Sequence, residues 1–325
     1  MAMRGWPLIK LLPQVTTFRF VRYAKAFGII SAILSIASIV GVFTPGLNMG
    51  IDFRGGATME VIQPQGQRLD VESIREGMEG LGIGDVGVQE AGGPSLAMVR
   101  FQIPQGQDQA TVVNQVKQTV AEAAGEVRFS APSVVGSKVS GELFTKGLWA
   151  LASAIGLMFL YIWFRFEPQF GLGAVVGLLH DVVLCFGLIV IMKLEFNLNM
   201  VAAILTVIGY SMNDTVVVFD RLRENLRKYK QMPLREVIDL SINETLSRTI
   251  ITGMTAVMVL AALAFYGGPA LFGFSVILMF GIIVGTYSSI YVGAPIILLW
   301  GVKRGGERKD KDDLKPVKLG MASRP

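Results

Sequence analysis

The chain has 325 residues, 52% of them hydrophobic and only 17% charged. That balance excludes an intrinsically disordered chain and is too apolar for an ordinary soluble domain. The formal net charge of +5 suits nucleic acid or a membrane surface, and the placement of the basic residues favours the membrane.

Six apolar segments are long enough to span a bilayer, which takes about 20 helical residues. In chain order they cover 26–44, 147–165, 170–192, 199–219, 249–266 and 271–300. The last is longer than a span needs, and Pro295 with nearby glycines is expected to kink it. The first follows a basic tail, 1–25, that carries Arg4, Lys10, Arg19, Arg22 and Lys25 and no acid. Tail and apolar run are both long for a cleaved signal peptide, so an uncleaved anchor is expected.

The stretch between spans 1 and 2, residues 45–146, reads as one soluble domain. "ATMEVIQ" alternates as a strand. "DVESIREGMEGLG" opens on an aspartate cap, places Val71, Ile74, Met78 and Leu81 at helical spacing, and ends in glycine. "DVGVQEA" and "SLAMVRFQI" read as strands around the turn "GGP". "DQATVVNQVKQTVAEAA" reads as a second helix and "EVRFSAPSV" as a closing strand. The order is βαββαβ, a ferredoxin-like split unit. No His, Cys or carboxylate cluster at metal-ligand spacing and no phosphate loop appears, so neither metal nor cofactor is expected. The fold class is a polytopic α-helical membrane protein with one periplasmic α+β domain between helices 1 and 2.

The loop 220–248 carries Arg221, Arg223, Arg227, Lys228, Lys230 and Arg235, and the tail 302–325 carries eight further Lys and Arg residues. With six spans, both lie on the side of the N-terminal tail. The opposite loops, "KLEFNLN" and "YGGPALFG", hold almost no basic residues. The positive-inside rule then puts both termini in the cytoplasm. The single cysteine, Cys185, lies in an apolar run and leaves no intrachain disulfide.

Three polar groups interrupt the spans. Asp214 sits in "VIGYSMNDTVVVFDR", where a carboxylate costs about 3 kcal/mol on insertion scales. Helical spacing puts Thr206, Gly209, Tyr210, Asn213, Asp214 and Val217 on one face, expected to turn toward protein or water. In span 3, Gly173, Gly177, Asp181 and Cys185 recur every four residues, a small-residue stripe carrying a carboxylate. Asp181 falls near the midplane, beside His180, the one histidine of the chain. Arg248 opens span 5, followed by Thr249, Thr252 and Thr255.

Each group has a plainer reading. Asp214 suits a helix-packing hydrogen bond near the interface, Asp181 with His180 a satisfied polar pair, and Arg248 a positive-inside anchor. The Gly281–Gly285 pair reads as helix packing, and Asp220, Arg221, Arg223 and Glu224 as an interfacial continuation of helix 4. Desolvation disfavours a charged carboxylate and a nearby arginine favours it, so a group poised between the two can load and release protons. An intramembrane protease dyad of Asp181 and Asp214 would need the carboxylates about 3 Å apart. Neither stands in a Gly-x-Gly-Asp context.

Four stretches together resemble the SecF family, membrane subunits of the bacterial protein-export accessory complex SecDF within the resistance-nodulation-division superfamily. They are "GLNMGIDFRGG" after span 1, "HDVVLCFG" in span 3, "TVIGYSMNDTVVVFDRLREN" in span 4 and "SINETLSRTIITG" entering span 5. The resemblance runs from about residue 20 to 300 and implies a non-enzymatic role in export, driven by the proton-motive force across the inner membrane. It implies SecD and the SecYEG channel as partners, with YajC, YidC and the unfolded exported chain, and no nucleic acid. It assigns Asp214 and Arg248 to a proton pathway, and Asn213 beside Asp214 and the pair Asp181 and His180 stand as further candidates for that pathway from their place in the spans. Asp52, Arg54, Gly55 and Gly56 match the family stretch joining span 1 to the soluble domain. A second key aspartate of the family belongs to the SecD part, so half of the proton site is expected from another chain.

Overall fold

The computed structural model describes residues 16–64, 67–90, 93–104 and 106–301. The C-terminal basic tail, residues 1–15 of the N-terminal one and Gly92 of the expected "GGP" turn lie outside the described residues.

Helix α1 (Phe20–Gly41) runs into a π-helical turn that ends at Gly46. No side chain of its own caps its start. The helix Leu234–Tyr266 supplies the partners instead: Asp239 accepts the Val21 N–H at 2.9 Å, and the Asn243 amide pairs with both backbone groups of Phe18. These contacts satisfy backbone donors that a helix N-terminus leaves open.

The soluble domain follows as β1 (Asn48–Met49), α2 (Ile51–Arg54), β2 (Gly56–Ile62), α3 (Val71–Glu79), β3 (Val86–Glu90), β4 (Leu96–Phe101), α4 (Gln109–Ala124), β5 (Arg128–Phe129) and β6 (Ser133–Val135). The sheet order is β3-β4-β2-β5, with β6 also on β2 and every pairing antiparallel. This is the ferredoxin-like order expected of βαββαβ. Ala57, Met59 and Val61 alternate onto the buried face of β2. Ile74 and Met78 of α3 and Val112, Val116 and Val120 of α4 cover that face at helical spacing. Asp70 caps α3 as expected, accepting the N–H groups of Glu72 and Ser73, and Asp108 caps α4. The closing strand differs from the expected single run. It breaks between β5 and β6 at Ala131–Pro132, where the proline has no N–H to give the ladder.

The remaining helices are α5 (Ser137–Arg165), α6 (Pro168–Ile191), α7 (Leu198–Lys228), α8 (Leu234–Tyr266) and α9 (Pro269–Ser288), with α10 (Ala294–Trp300) beyond a π-helical turn at Ser289–Gly293. Among the described residues, six helical segments are long and apolar enough to cross a membrane. The helices α5, α7 and α8 extend well past the apolar runs they contain. The irregularity expected near Pro295 is the π turn just before it, where a proline without an N–H cannot continue the regular ladder. Helices α6 and α7 are buried over 56% of their most apolar stretches, against 11% for α5 and α8. The polar groups of the spans therefore collect where α6, α7 and α9 meet.

Candidate functional site

Asp181 lies midway along α6 and is fully buried. It accepts three hydrogen bonds, from Ser211 Oγ of α7 at 2.5 Å, Ser288 Oγ of α9 at 2.8 Å and His180 Nδ1 at 2.9 Å. One carboxyl group thus joins three helices. His180 Nε2 is buried without a partner. The His180 ring stacks on Tyr287, whose hydroxyl reaches Ser31 Oγ at 2.7 Å and the Phe27 carbonyl on α1 at 2.9 Å.

Asp214 lies three residues past Ser211 on α7, one helical turn toward the basic end. It is 7% exposed and accepts a hydrogen bond from Thr286 Oγ1 of α9 at 3.0 Å. Both carboxylates therefore lie against one short stretch of α9: Ser288, with Ser211 of α7, serves Asp181, and Thr286 serves Asp214. They take different hydroxyl partners. Gly285 makes this closeness possible, because a Cβ there would lie 3.0 Å from the Cβ of Ser211. The Gly281–Gly285 pair packs α9 on α7 as expected, Gly281 lying against Val207.

Arg248 and Thr249 of α8 stand beside Asp214. Thr249 is buried, and its hydroxyl interacts with the Asp214 carboxylate without reaching full hydrogen-bond geometry to any group. Arg248 is exposed and lies within electrostatic reach of Asp214, and it forms no ion pair with Asp214. The carboxylate is thus less saturated than Asp181.

The single polar face expected on α7 divides in the structure. Val207, Ser211, Asp214 and Thr215 are buried, while Thr206, Gly209 and Asn213 are exposed. Consecutive helical residues point about 100° apart, so Asn213 and Asp214 need not share a neighbour. Packing against α9 takes the Asp214 side. Asn213 faces an open groove of about 770 Å³ between α5 and α7, lined also by Ser153, Leu157, Tyr161 and Gly209.

The segment after α1 forms a joint at the other end of α7. Asp52 accepts the Leu198 N–H at 2.9 Å. Gly55 and Gly56 have φ of 77° and 119°, left-handed values that favour glycine, and a Cβ on Gly56 would collide with the Phe101 carbonyl. Arg54 pairs with Asp85. Strand β1 pairs in parallel with β7 (Glu195–Phe196) in the loop between α6 and α7. Arg100 of β4 reaches across to donate to the Met49 carbonyl. Burial pushes the Glu195 carboxyl above the usual carboxylate range, against the pull of Arg100 and a hydrogen bond from the Ile51 backbone.

Several of these residues escaped sequence reasoning. Thr286, Tyr287 and Ser288 form a run of hydroxyls inside an apolar span, which was the available signal. Glu195 is the one acid of its short loop. Arg100 and Asp85 belong to strand and turn sequences that look like any exposed edge, and nothing local marks them.

A bundle of six apolar helices with buried carboxylates at its centre, carrying one ferredoxin-like domain after the first helix, defines a multi-pass membrane protein of transporter type. Two family models match it: "Protein export membrane protein SecD/SecF, C-terminal" over residues 115–303, and "SecD/SecF GG Motif" over residues 40–61. The protein translocase subunit SecF of Rhodobacter capsulatus is 44% identical over 319 residues, covering 94% of this chain and 95% of that one. Its counterpart in Cereibacter sphaeroides is 44% identical over 310 residues, covering 93% and 95%. The crystal structure of SecDF, a translocon-associated membrane protein from Thermus thermophilus, superposes with a TM-score of 0.77 at 30% identity. That match covers 89% of this chain and 39% of the SecDF chain, so the present chain spans well under half of that protein. The chain belongs to the SecD/SecF family of protein-export membrane proteins.

Proposed function

We propose that the chain is the smaller half of a machine that uses the proton-motive force to assist protein export across the bacterial inner membrane. The observation that carries this reading is Asp214. It is a buried carboxylate at membrane depth that takes a hydrogen bond from Thr286, with the Thr249 hydroxyl close by and Arg248 near it without an ion pair. Such a group, buried among few fixed partners with an exposed cation at its edge, can exchange a proton against a modest change in its surroundings.

In this reading Arg248 is the counter-charge that moves toward or away from Asp214 during the cycle. Asn213 meets water or a partner helix at the α5–α7 groove. Asp181 and His180 hold the three inner helices in register and extend the polar path toward the trans side. A SecD-type chain supplies the second half of the proton site. The SecDF neighbour is longer than this chain, which matches 39% of it. SecYEG, YajC, YidC and the unfolded exported polypeptide complete the assembly.

Both termini face the cytoplasm in this reading, residues 45–146 form the periplasmic domain, and 147–301 the five-helix membrane domain. The basic residues of the 220–248 loop and of both tails support that orientation. The test is Asp214→Asn assayed for gradient-dependent export in inverted membrane vesicles. Loss of the gradient-dependent part with normal complex assembly is expected, and wild-type export would sink the proposal.

A further inference from the structure

We propose that the basic ends of α5 and α7 form a binding site for the phosphodiester headgroup of an anionic phospholipid. A pocket of about 490 Å³ opens there, lined by Arg165, Asp220, Arg223, Glu224, Arg227 and Lys228. The carboxylates in it are already engaged. Asp220 takes Arg165 Nη2 on both oxygens, at 2.6 and 2.5 Å, and Glu224 takes Arg221 at 2.7 Å. Of the remaining cations, Arg223 is only loosely paired, and Arg227 and Lys228 form no ion pair among the described residues.

Arg223 stands 4.0 Å from both Glu167 and Asp220, beyond hydrogen-bond distance, with its guanidinium 6.0 Å above the Phe166 ring. It is held only by these two long ion pairs and makes no hydrogen bond to either carboxylate, so its planar fork of donors can turn to a phosphate. Arg227 and Lys228 are exposed and form no ion pair among the described residues, and Lys228 lies over the Tyr229 ring. Both stand in the last turn of α7, where the helix dipole favours cations.

A lipid suits the site better than a free anion. The last turn of α5, which ends on Arg165, carries Trp163 and Phe164 at 80% and 79% exposure. Large exposed aromatics at the end of an apolar helix mark the level of the headgroups. The pocket therefore lies at that level, with an apolar surface leading from it along α5. Basic pockets between helices at this level hold anionic headgroups. The inference rests on the multi-pass membrane placement and is independent of the proton reading.

The experiment is native mass spectrometry of the full chain in mild detergent, offered equal amounts of phosphatidylglycerol and phosphatidylcholine. Phosphatidylglycerol should be retained preferentially. Each of Arg223→Ala, Arg227→Ala and Lys228→Ala should weaken that retention about fivefold, the share of one surface cation. Arg235→Ala, an exposed cation outside the pocket, should leave it unchanged. Equal retention of the two lipids, or an unchanged preference when all three cations are replaced, would overturn the proposal. Should the triple variant fail to fold, Arg227→Glu at its exposed position serves instead and must also lose the preference. Two competitor arms identify the source of the phosphate. Inorganic phosphate displacing the lipid at matched concentration would show a soluble-anion site, and a short RNA binding more tightly than the lipid would show a nucleic-acid surface. Either result overturns the lipid assignment.

Discussion

The Asp52 carboxylate accepts the backbone N–H of Leu198 at 2.9 Å, across 146 residues of chain. The bond ties the segment entering the soluble domain to the first turn of α7, the helix that carries Ser211 and Asp214. The first N–H groups of a helix have no partner within it, and a negative charge there is favoured by the dipole. Asn197 takes the Met200 N–H and Asp52 takes that of Leu198, so two side chains from distant segments cap one helix. Asp52→Ala should lower stability by about 1 kcal/mol, the usual worth of a cap, and Asp52→Asn by less. Thermal unfolding of the purified chain in detergent measures both. Equal stability of all three proteins would show that the cap is replaced by water.

The hydroxyls around Asp181 should behave as one unit. Ser211→Ala or Ser288→Ala leaves the buried carboxylate short of a donor, at a cost of about 1 to 3 kcal/mol each. The double replacement should depart from the sum, because both donors serve the same oxygen, Oδ2. A double-mutant cycle on unfolding free energies reads this directly, and strict additivity would refute the shared-acceptor account.

Replacing Arg248 separates charge from anchor. Arg248→Lys keeps the charge and loses the guanidinium fork, so partial gradient-dependent export is expected. Arg248→Ala should abolish it while leaving membrane insertion intact. Wild-type export by the alanine variant would leave Arg248 as a positive-inside anchor only.

Glu195 gives a pH dependence outside the membrane. Burial raises its pKa in the folded state, so the folded protein holds this proton more tightly than the unfolded chain does. The stability associated with it is present in full below the unfolded value and is lost as pH rises through the folded one. Glu195→Gln removes the ionisable group. Its unfolding temperature should exceed that of the wild type at pH 8, and the difference should shrink as pH falls below the ordinary glutamate range. A difference that grew toward acid would mean that the Arg100 charge outweighs burial.

Much of the architecture was legible in one dimension. A bilayer demands about 20 apolar residues per span, so the membrane helices announce themselves by composition. The soluble domain announced itself by period, alternation at residues 57–61 and helical spacing around Ile74 and Val116. The break in its last strand was harder to see, because Pro132 interrupts a run that otherwise reads as a strand. Asp181, Asp214, His180 and Arg248 stood out because polar side chains are costly among apolar neighbours.

What the sequence by itself determined, then, is which segments cross the membrane, how the small domain folds and which polar residues demand an explanation. These follow from local pattern and from the solvent each segment must meet. Only the tertiary structure decided which of those residues serve each other. It parted Asn213 from Asp214, gave Asp181 its three donors and left Arg248 uncommitted. It also turned Asp52 into the cap of a helix that begins 146 residues later. The hydroxyl partners of Asp181 and Asp214 depend on how α9 packs against α7 through Gly285, a contact between segments that sequence spacing does not encode.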